Sequence, residues 1–262
     1  MMKHLLLKEV EQVCTVTLNR PDKHNAFHPE MIRELTEVFQ ALEKRSDLRA
    51  VVLEGAGPSF SAGGDLEWMK SMVKFSNEEN VADADRLFAM YQAMAECSLP
   101  LIGCVHGNVM GGGLGLVAVC DIVCAEVSTK FSFSEARIGI APAVISPWVL
   151  RKCPQGLVRE VMLSARVFSA DEAKSYGLIH QVGRSLEIDE FMRSTLHNFS
   201  QCGPQAVREA KRLMNFVASQ SWSLQRGQAT KVIAERRASA EGQEGLKAFL
   251  EKRQPTWRSS RI

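Results

Sequence analysis

Two stretches of the chain carry residue types suited to proton transfer next to a carbonyl group. Gly111, Gly112 and Gly113 stand together in NVMGGGLGLVAVC, directly before an apolar run. Adjacent glycines let a backbone approach a ligand with no Cβ in the way. The start of a helix leaves N–H groups unpaired and pointing outward. Such a turn can hold negative charge as it develops on an oxygen. Glu135 follows in FSFSEARIGIAP, a single carboxylate near Phe131, Phe133, Ile138 and Ile140. Burial among them would raise its pKa and suit it to give and take a proton near neutral pH. The sequence therefore offers an oxyanion-stabilising turn and one acid–base group.

Other chemistries lack their residues. No Gly-Lys-Ser/Thr follows the glycines, so a phosphate-cradling P-loop is excluded, and the G-x-G-x-x-G pattern fails at its third glycine. A nucleophilic serine is not expected: Ser61 stands where G-x-S-x-G needs its final glycine. The 6 histidines are scattered with no H-E-x-x-H, so no metal site is expected. A net charge of +2, with no interleaving of basic and aromatic residues, gives no argument for nucleic acid or a membrane surface.

The elements that must position these groups alternate along the chain. Residues 4–10 and 12–18 read as strands, the second through the alternation of Cys14, Val16 and Leu18. The loop NRPDKHNAF leads to a helix opened by Pro29, with Met31, Leu35, Val38 and Leu42 on its apolar stripe. RAVVLEG is a strand. AGPSFSAGGDLEWM is a small-residue loop whose Asp65 caps the next helix and whose N–H groups form a second place to meet a ligand. A long amphipathic helix covers NEENVADADRLFAMYQAMAEC, LIGCVHG returns to a strand, and LGLVAVC is a buried helix, too short to cross a bilayer. Ser169 and Glu172 form a capping box. This alternation predicts an α/β fold with largely parallel pairing. From about Leu186 the pattern is helical and more charged, broken at Gly203-Pro204, so residues 1–185 form the core and 186–262 a helical, oligomerising appendage.

A chain of 262 residues, 45% hydrophobic and 24% charged, has the composition of a soluble globular protein with a sizeable core. Its 7 cysteines are odd in number and contain no C-x-x-C, which predicts reduced, mostly buried thiols in the cytoplasm. The apolar run in MMKHLLLKEV is too short for a signal peptide.

In order, RPDKHNAF, FSAGGDL, HGNVMGGGLGL with CDIVCA, FSFSEARIGIAP, FSADEAKSYGLIHQV and EGLKAFLEKRQPTW resemble the crotonase (enoyl-CoA hydratase/isomerase) family over nearly the whole chain. The resemblance implies a crotonase-like spiral of ββα units with a helical C-terminal trimerisation region, assembled as a homotrimer or a dimer of trimers. It implies an acyl-CoA thioester substrate, no separate cofactor, and an enolate held by two backbone N–H groups. By motif match these belong to Ala62 and Gly112. His24, Ala26, Ala62, Asp65 and Leu66 correspond to adenosine and pantetheine contacts. Phe249 and Lys252 correspond to the part that reaches a neighbouring subunit's CoA, and Arg20, Lys23 and Lys252 are candidates for its phosphates.

One departure bears on the reaction. Two-glutamate hydratases of the family carry a glutamate two residues after the glycine run. Here Gly115 stands there, while the second catalytic glutamate corresponds to Glu135. A lone glutamate resembles the family's double-bond isomerases. The turn PAVISP instead resembles the branch that hydrates methylglutaconyl-CoA and related branched thioesters. The expectations, in order, are an enoyl-CoA hydratase, a Δ3–Δ2 enoyl-CoA isomerase, and a non-catalytic acyl-CoA-binding subunit. Glu67 and Glu96 are candidates to replace the missing carboxylate.

Overall fold

The computed structural model describes residues 2–259. Its strands are β1 (Leu5–Val10), β2 (Val13–Leu18), β3 (Ala50–Gly55), β4 (Leu101–Val105), β5 (Asn108–Met110), β6 (Ile122–Glu126), β7 (Lys130–Ser132), β8 (Phe168–Ser169) and β9 (Gln181–Gly183). A six-stranded sheet runs β1-β2-β3-β4-β6-β9, and a three-stranded sheet runs β5-β7-β8. Among the described residues, the β1–β2 hairpin and the β7–β8 pair are antiparallel and the other pairings are parallel. The central strands are covered on both faces, which is why AVVL, LIGCV and IVCA read as near-continuous apolar runs. Edge strand β1 buries Leu5 alone.

The helices are α1 (Pro29–Glu43), α2 (Leu66–Met72), α3 (Asn77–Glu96), α4 (Gly112–Val119), α5 (Ser146–Lys152), α6 (Gln155–Ser164), α7 (Ala170–Ser175), α8 (Ser185–Gln201), α9 (Pro204–Val217), α10 (Trp222–Ala238) and α11 (Ala240–Leu250). The anticipated caps are present. Asp65 caps α2, and the reciprocal Ser169–Glu172 bonds open α7. Ser76 and Glu79 form a further box on α3. Helix α4 is buried from Gly113 to Val119, so it is apolar all round rather than on one face.

The short strands β5, β7 and β8 differ from the expected pattern, because two or three residues are too few for a period to show. Ile138 and Ile140 also differ. They are exposed, at 58% and 56%, and only Phe131 and Phe133 of the four apolar neighbours expected around Glu135 are buried.

Beyond β9 the described chain is helical. Helix α9 is fastened to the core by cations, its two buried residues being Arg208 and Lys211. Buried Arg208 donates to Ser98 Oγ at 2.9 Å and to the carbonyls of Arg45 and Leu48. Buried Lys211 donates to Leu99 O at 3.0 Å and to Asp121 at 2.6 Å. Helix α10 buries none of its residues, and Trp222, Leu224 and Ile233 lie exposed on it. All seven cysteines are unpaired and five are buried. No described helix is long and apolar enough to cross a membrane.

Candidate active site

Three backbone segments meet around the glycine run, and each is held by named hydrogen bonds. Ser61 N–H donates to Asn108 O (3.1 Å) and Met110 N–H to Ser61 O (2.9 Å), which stitches the SAGG loop to β5. Gly111 N–H donates to Ser132 O (2.9 Å), which ties the turn to β7. The chain leaving β7 enters a 3₁₀ turn, Ser134–Ile138, that carries Glu135 back over Gly111. Gly111 has φ +49° and ψ −121°, a conformation that disfavours any L side chain. A Cβ there would also lie 3.3 Å from Glu135 Oε1, so glycine is what lets the carboxylate sit against this turn.

Glu135 is half-buried, and its Oε2 is buried with no hydrogen-bond partner. Burial pushes the carboxyl above its ordinary value, against a smaller lowering by its own backbone N–H. Buried polar atoms are nearly always paired, so an unpaired carboxylate oxygen beside open N–H groups marks a place for a ligand.

The N–H groups of Gly112 and Gly113 make no hydrogen bond, as expected for the first turn of α4. In the facing loop the structure corrects the motif-based assignment. Ala62 N–H donates to His24 O at 2.9 Å and is not open. The N–H of Gly64, two residues on, is the one without a partner. Gly63, with φ +88°, makes the bend between them, and a Cβ on it would fall 3.5 Å from Gly112 N. The open N–H groups are thus those of Gly112 and Gly113 on the turn and Gly64 on the facing loop, and the motif match selects Gly112 of the first two.

Asp65 is likewise corrected as a ligand contact. Its Oδ1 accepts from Glu67 N–H (2.8 Å) and Trp68 N–H (3.3 Å), and its Oδ2 accepts from Arg20 at 2.9 Å. This carboxylate caps α2 and neutralises Arg20, which also donates to Ala26 O, so Arg20 is no free phosphate ligand either. Ala26 is buried, whereas His24 and Leu66 are exposed beside the loop. Phe249, at the end of α11, and Lys252, in the turn after it, are exposed on the helical region. Neither candidate replacement carboxylate serves the site. Glu67 pairs with Lys70 at the surface, and Glu96 accepts from Gln92 at the end of α3.

Position 115 has no room for a side chain. A Cβ on Gly115 would lie 2.6 Å from both Ile145 Cγ2 and Tyr91 Cζ. In the sequence Tyr91 is one more apolar-face residue of α3, with nothing to mark it. In the structure it is fully buried and its hydroxyl donates to Gly112 O at 2.7 Å. Asn25 is a second residue that the sequence reading passes over. Buried, with φ +53°, it accepts from Arg20 N–H and donates to Ala56 O and Ser59 O, holding the NRPDKHNAF loop against the SAGG loop. The signal available for it is residue type, since asparagine tolerates a left-handed backbone.

The expectation of no metal constellation needs one amendment. His4, His28 and Glu30 place three ligand atoms within 4.8 Å of one another, away from Glu135 in the chain. These side chains already hold the fold. His4 Nε2 bonds Glu30 at 3.0 Å, and His28 Nδ1 caps α1 by accepting from Met31 N–H at 3.4 Å.

Comparison with known proteins decides the family. The model of the family described as enoyl-CoA hydratase/isomerase matches residues 8–260. The chain belongs to the enoyl-CoA hydratase/isomerase family. An enoyl-CoA hydratase structure from Shewanella pealeana is 34% identical with TM-score 0.92, covering 98% of this chain and 96% of that one. An enoyl-CoA hydratase/isomerase structure from Marinobacter aquaeolei is 32% identical with TM-score 0.92, covering 97% and 99%. The human mitochondrial Δ(3,5)-Δ(2,4)-dienoyl-CoA isomerase is 31% identical over 260 residues, 89% of this chain and 78% of that protein. The crotonase fold and hydratase-or-isomerase activity expected from the motifs agree with these matches.

Proposed function

We propose that this protein adds water to an α,β-unsaturated acyl-CoA thioester, with Glu135 as its one acid–base group. The observation that carries the reading is the unpartnered, buried Oε2 of Glu135 beside a turn with open N–H groups. In the forward step Glu135 takes a proton from water as the water oxygen bonds to C3. The C2=C3 electron pair moves through C1 onto the thioester oxygen, giving an enolate that the N–H groups of Gly112 and Gly64 hold. The same proton then passes from Glu135 to C2 as the carbonyl re-forms. A carboxyl whose pKa is raised by burial suits both halves of this cycle. The resemblance of the PAVISP turn to the methylglutaconyl-CoA branch supports a branched acyl group.

The filled space at position 115 favours one alternative. With no second carboxylate to hold water, Glu135 could carry a proton from C2 to C4 of a 3-enoyl thioester through a dienolate. A non-catalytic acyl-CoA-binding subunit is the weakest reading, because a binder has no use for an unpaired buried carboxylate. His24, Ala26 and Leu66 are assigned to the CoA moiety. Phe249 and Lys252 are assigned to CoA bound by a neighbouring copy in a trimer or pair of trimers. The uncovered α10 and the exposed Phe249 and Leu250 support that assembly.

Crotonyl-CoA and 3-methylglutaconyl-CoA are followed by loss of conjugated thioester absorbance, and a 3-enoyl-CoA by its gain. Hydration that disappears in Glu135→Gln supports the first reading. Isomerisation without hydration supports the second, and thioester binding with neither reaction leaves the third.

A further inference from the structure

One buried group beside the site takes no part in the reaction above. Tyr91 is enclosed in the core, yet it touches two positions of the active turn. Its hydroxyl donates to Gly112 O at 2.7 Å. A Cβ on Gly112 would lie 3.1 Å from that hydroxyl and 2.8 Å from Phe27 Cε2, so the hydroxyl and the Phe27 ring together close the face of Gly112 from which a side chain would project. Tyr91 Cζ and Cε1 would lie 2.6 and 2.7 Å from a Cβ at position 115.

We propose that Tyr91 is a positioning residue: its hydroxyl fixes the Gly112–Gly113 peptide and so steadies the residue whose N–H meets the enolate oxygen, and its ring fills the place of a side chain at 115, making this a one-carboxylate site. The inference rests on the enolate chemistry proposed above. A glycine at the start of a helix has no side chain to pin its peptide. Electrostatic stabilisation of an enolate depends on donors already held in place when the charge appears. Gly112 O, held by the Tyr91 hydroxyl, anchors the peptide that follows Gly112 and, through its Cα, limits how far the Gly112 N–H can swing. Tyr91 and Glu135 also feel each other: burial first, and the Glu135 charge second, push the phenol's pKa well up, so it stays a hydrogen-bond donor.

Tyr91→Phe keeps the ring and removes the bond. Its effect is read with two ligands. Acetoacetyl-CoA ionises to an enolate that resembles the intermediate, and its bound enolate absorbs in the ultraviolet. Butyryl-CoA cannot ionise so and reports the ground state. Wild type should bind acetoacetyl-CoA as the enolate; if it does not, the underlying reading fails before Tyr91 is tested. Given that it does, Tyr91→Phe should weaken enolate binding about fivefold and lower kcat about as much, which is the reach of one hydrogen bond of about 1 kcal/mol. Butyryl-CoA affinity and the substrate KM should stay within about twofold. Equal losses for both ligands would mean a purely structural role, and no loss for either would mean no role; each overturns the hydroxyl's part of the proposal. The ring's part is tested by thermal midpoints of Gly115→Ala, Tyr91→Leu and their combination. Leucine is too short to reach the clashing position, so the pair should lose less than the sum of the single losses. Strict additivity would overturn it.

Discussion

The Cζ of Tyr91 stands 2.6 Å from where a Cβ on Gly115 would lie. Position 115 is where the resemblance to two-glutamate hydratases places the expected carboxylate. The absence of that carboxylate is therefore built into the packing and would not be repaired by one substitution.

Gly115→Ala forces atoms into a filled space in a buried helix. Overpacking of this kind costs about 1–3 kcal/mol. Urea unfolding should show that loss, and a variant as stable as wild type would mean that Tyr91 and Ile145 move aside easily. Gly115→Glu should unfold more readily still and gain no hydration activity.

Glu135 sets the pH dependence. Burial raises its folded pKa above the ordinary 4.5, so the acid limb of kcat/KM should lie above that value and be absent in Glu135→Gln. The sign for stability follows from the same shift. A carboxyl with a raised folded pKa holds its proton more tightly when folded, so its ionisation penalises the native state as pH rises through that pKa. Glu135→Gln should be more stable than wild type at pH about 7, with the difference closing as pH falls through the folded pKa and gone below the unfolded pKa of about 4.3. Equal melting temperatures across that range would show that the carboxyl is not held in a desolvated place.

Asp65 and Arg20 should behave as structural residues. Their side chains are 9% and 13% exposed, and breaking a buried pair from one side costs about 3–5 kcal/mol. Asp65→Ala, which also removes the α2 cap, should lose at least the lower figure in urea unfolding, whereas Asp65→Asn should lose less because it can still cap. A change in thioester KM with stability unchanged would return Asp65 to the ligand.

Much of this arrangement is legible in the sequence because it rests on local signals. The glycine run, Glu135, the α2 cap and the Ser169 box each follow from residue type and short spacing. What is not legible depends on contacts between distant segments. The choice of Gly64 over Ala62 follows from a bond to His24, 38 positions away in the numbering of the chain. Tyr91 reads as one more apolar residue until α3 is laid against α4, and Asn25 reads as a turn residue until its amide finds Ala56 and Ser59. The helical character of the C-terminal region is plain from its pattern. Its attachment through buried Arg208 and Lys211 is not, because charged residues on an amphipathic helix ordinarily mark the solvent face.

The most direct test of the central claim is exchange of the C2 protons of butyryl-CoA in D₂O, followed by proton NMR with wild type and with Glu135→Gln. It requires neither hydration nor isomerisation, only the thioester, the enolate turn and the base. Exchange by wild type that falls about 10²–10⁴-fold in the variant, with butyryl-CoA affinity retained, is the predicted result. Exchange that proceeds equally in both would contradict the assignment of Glu135 as the group that moves the proton.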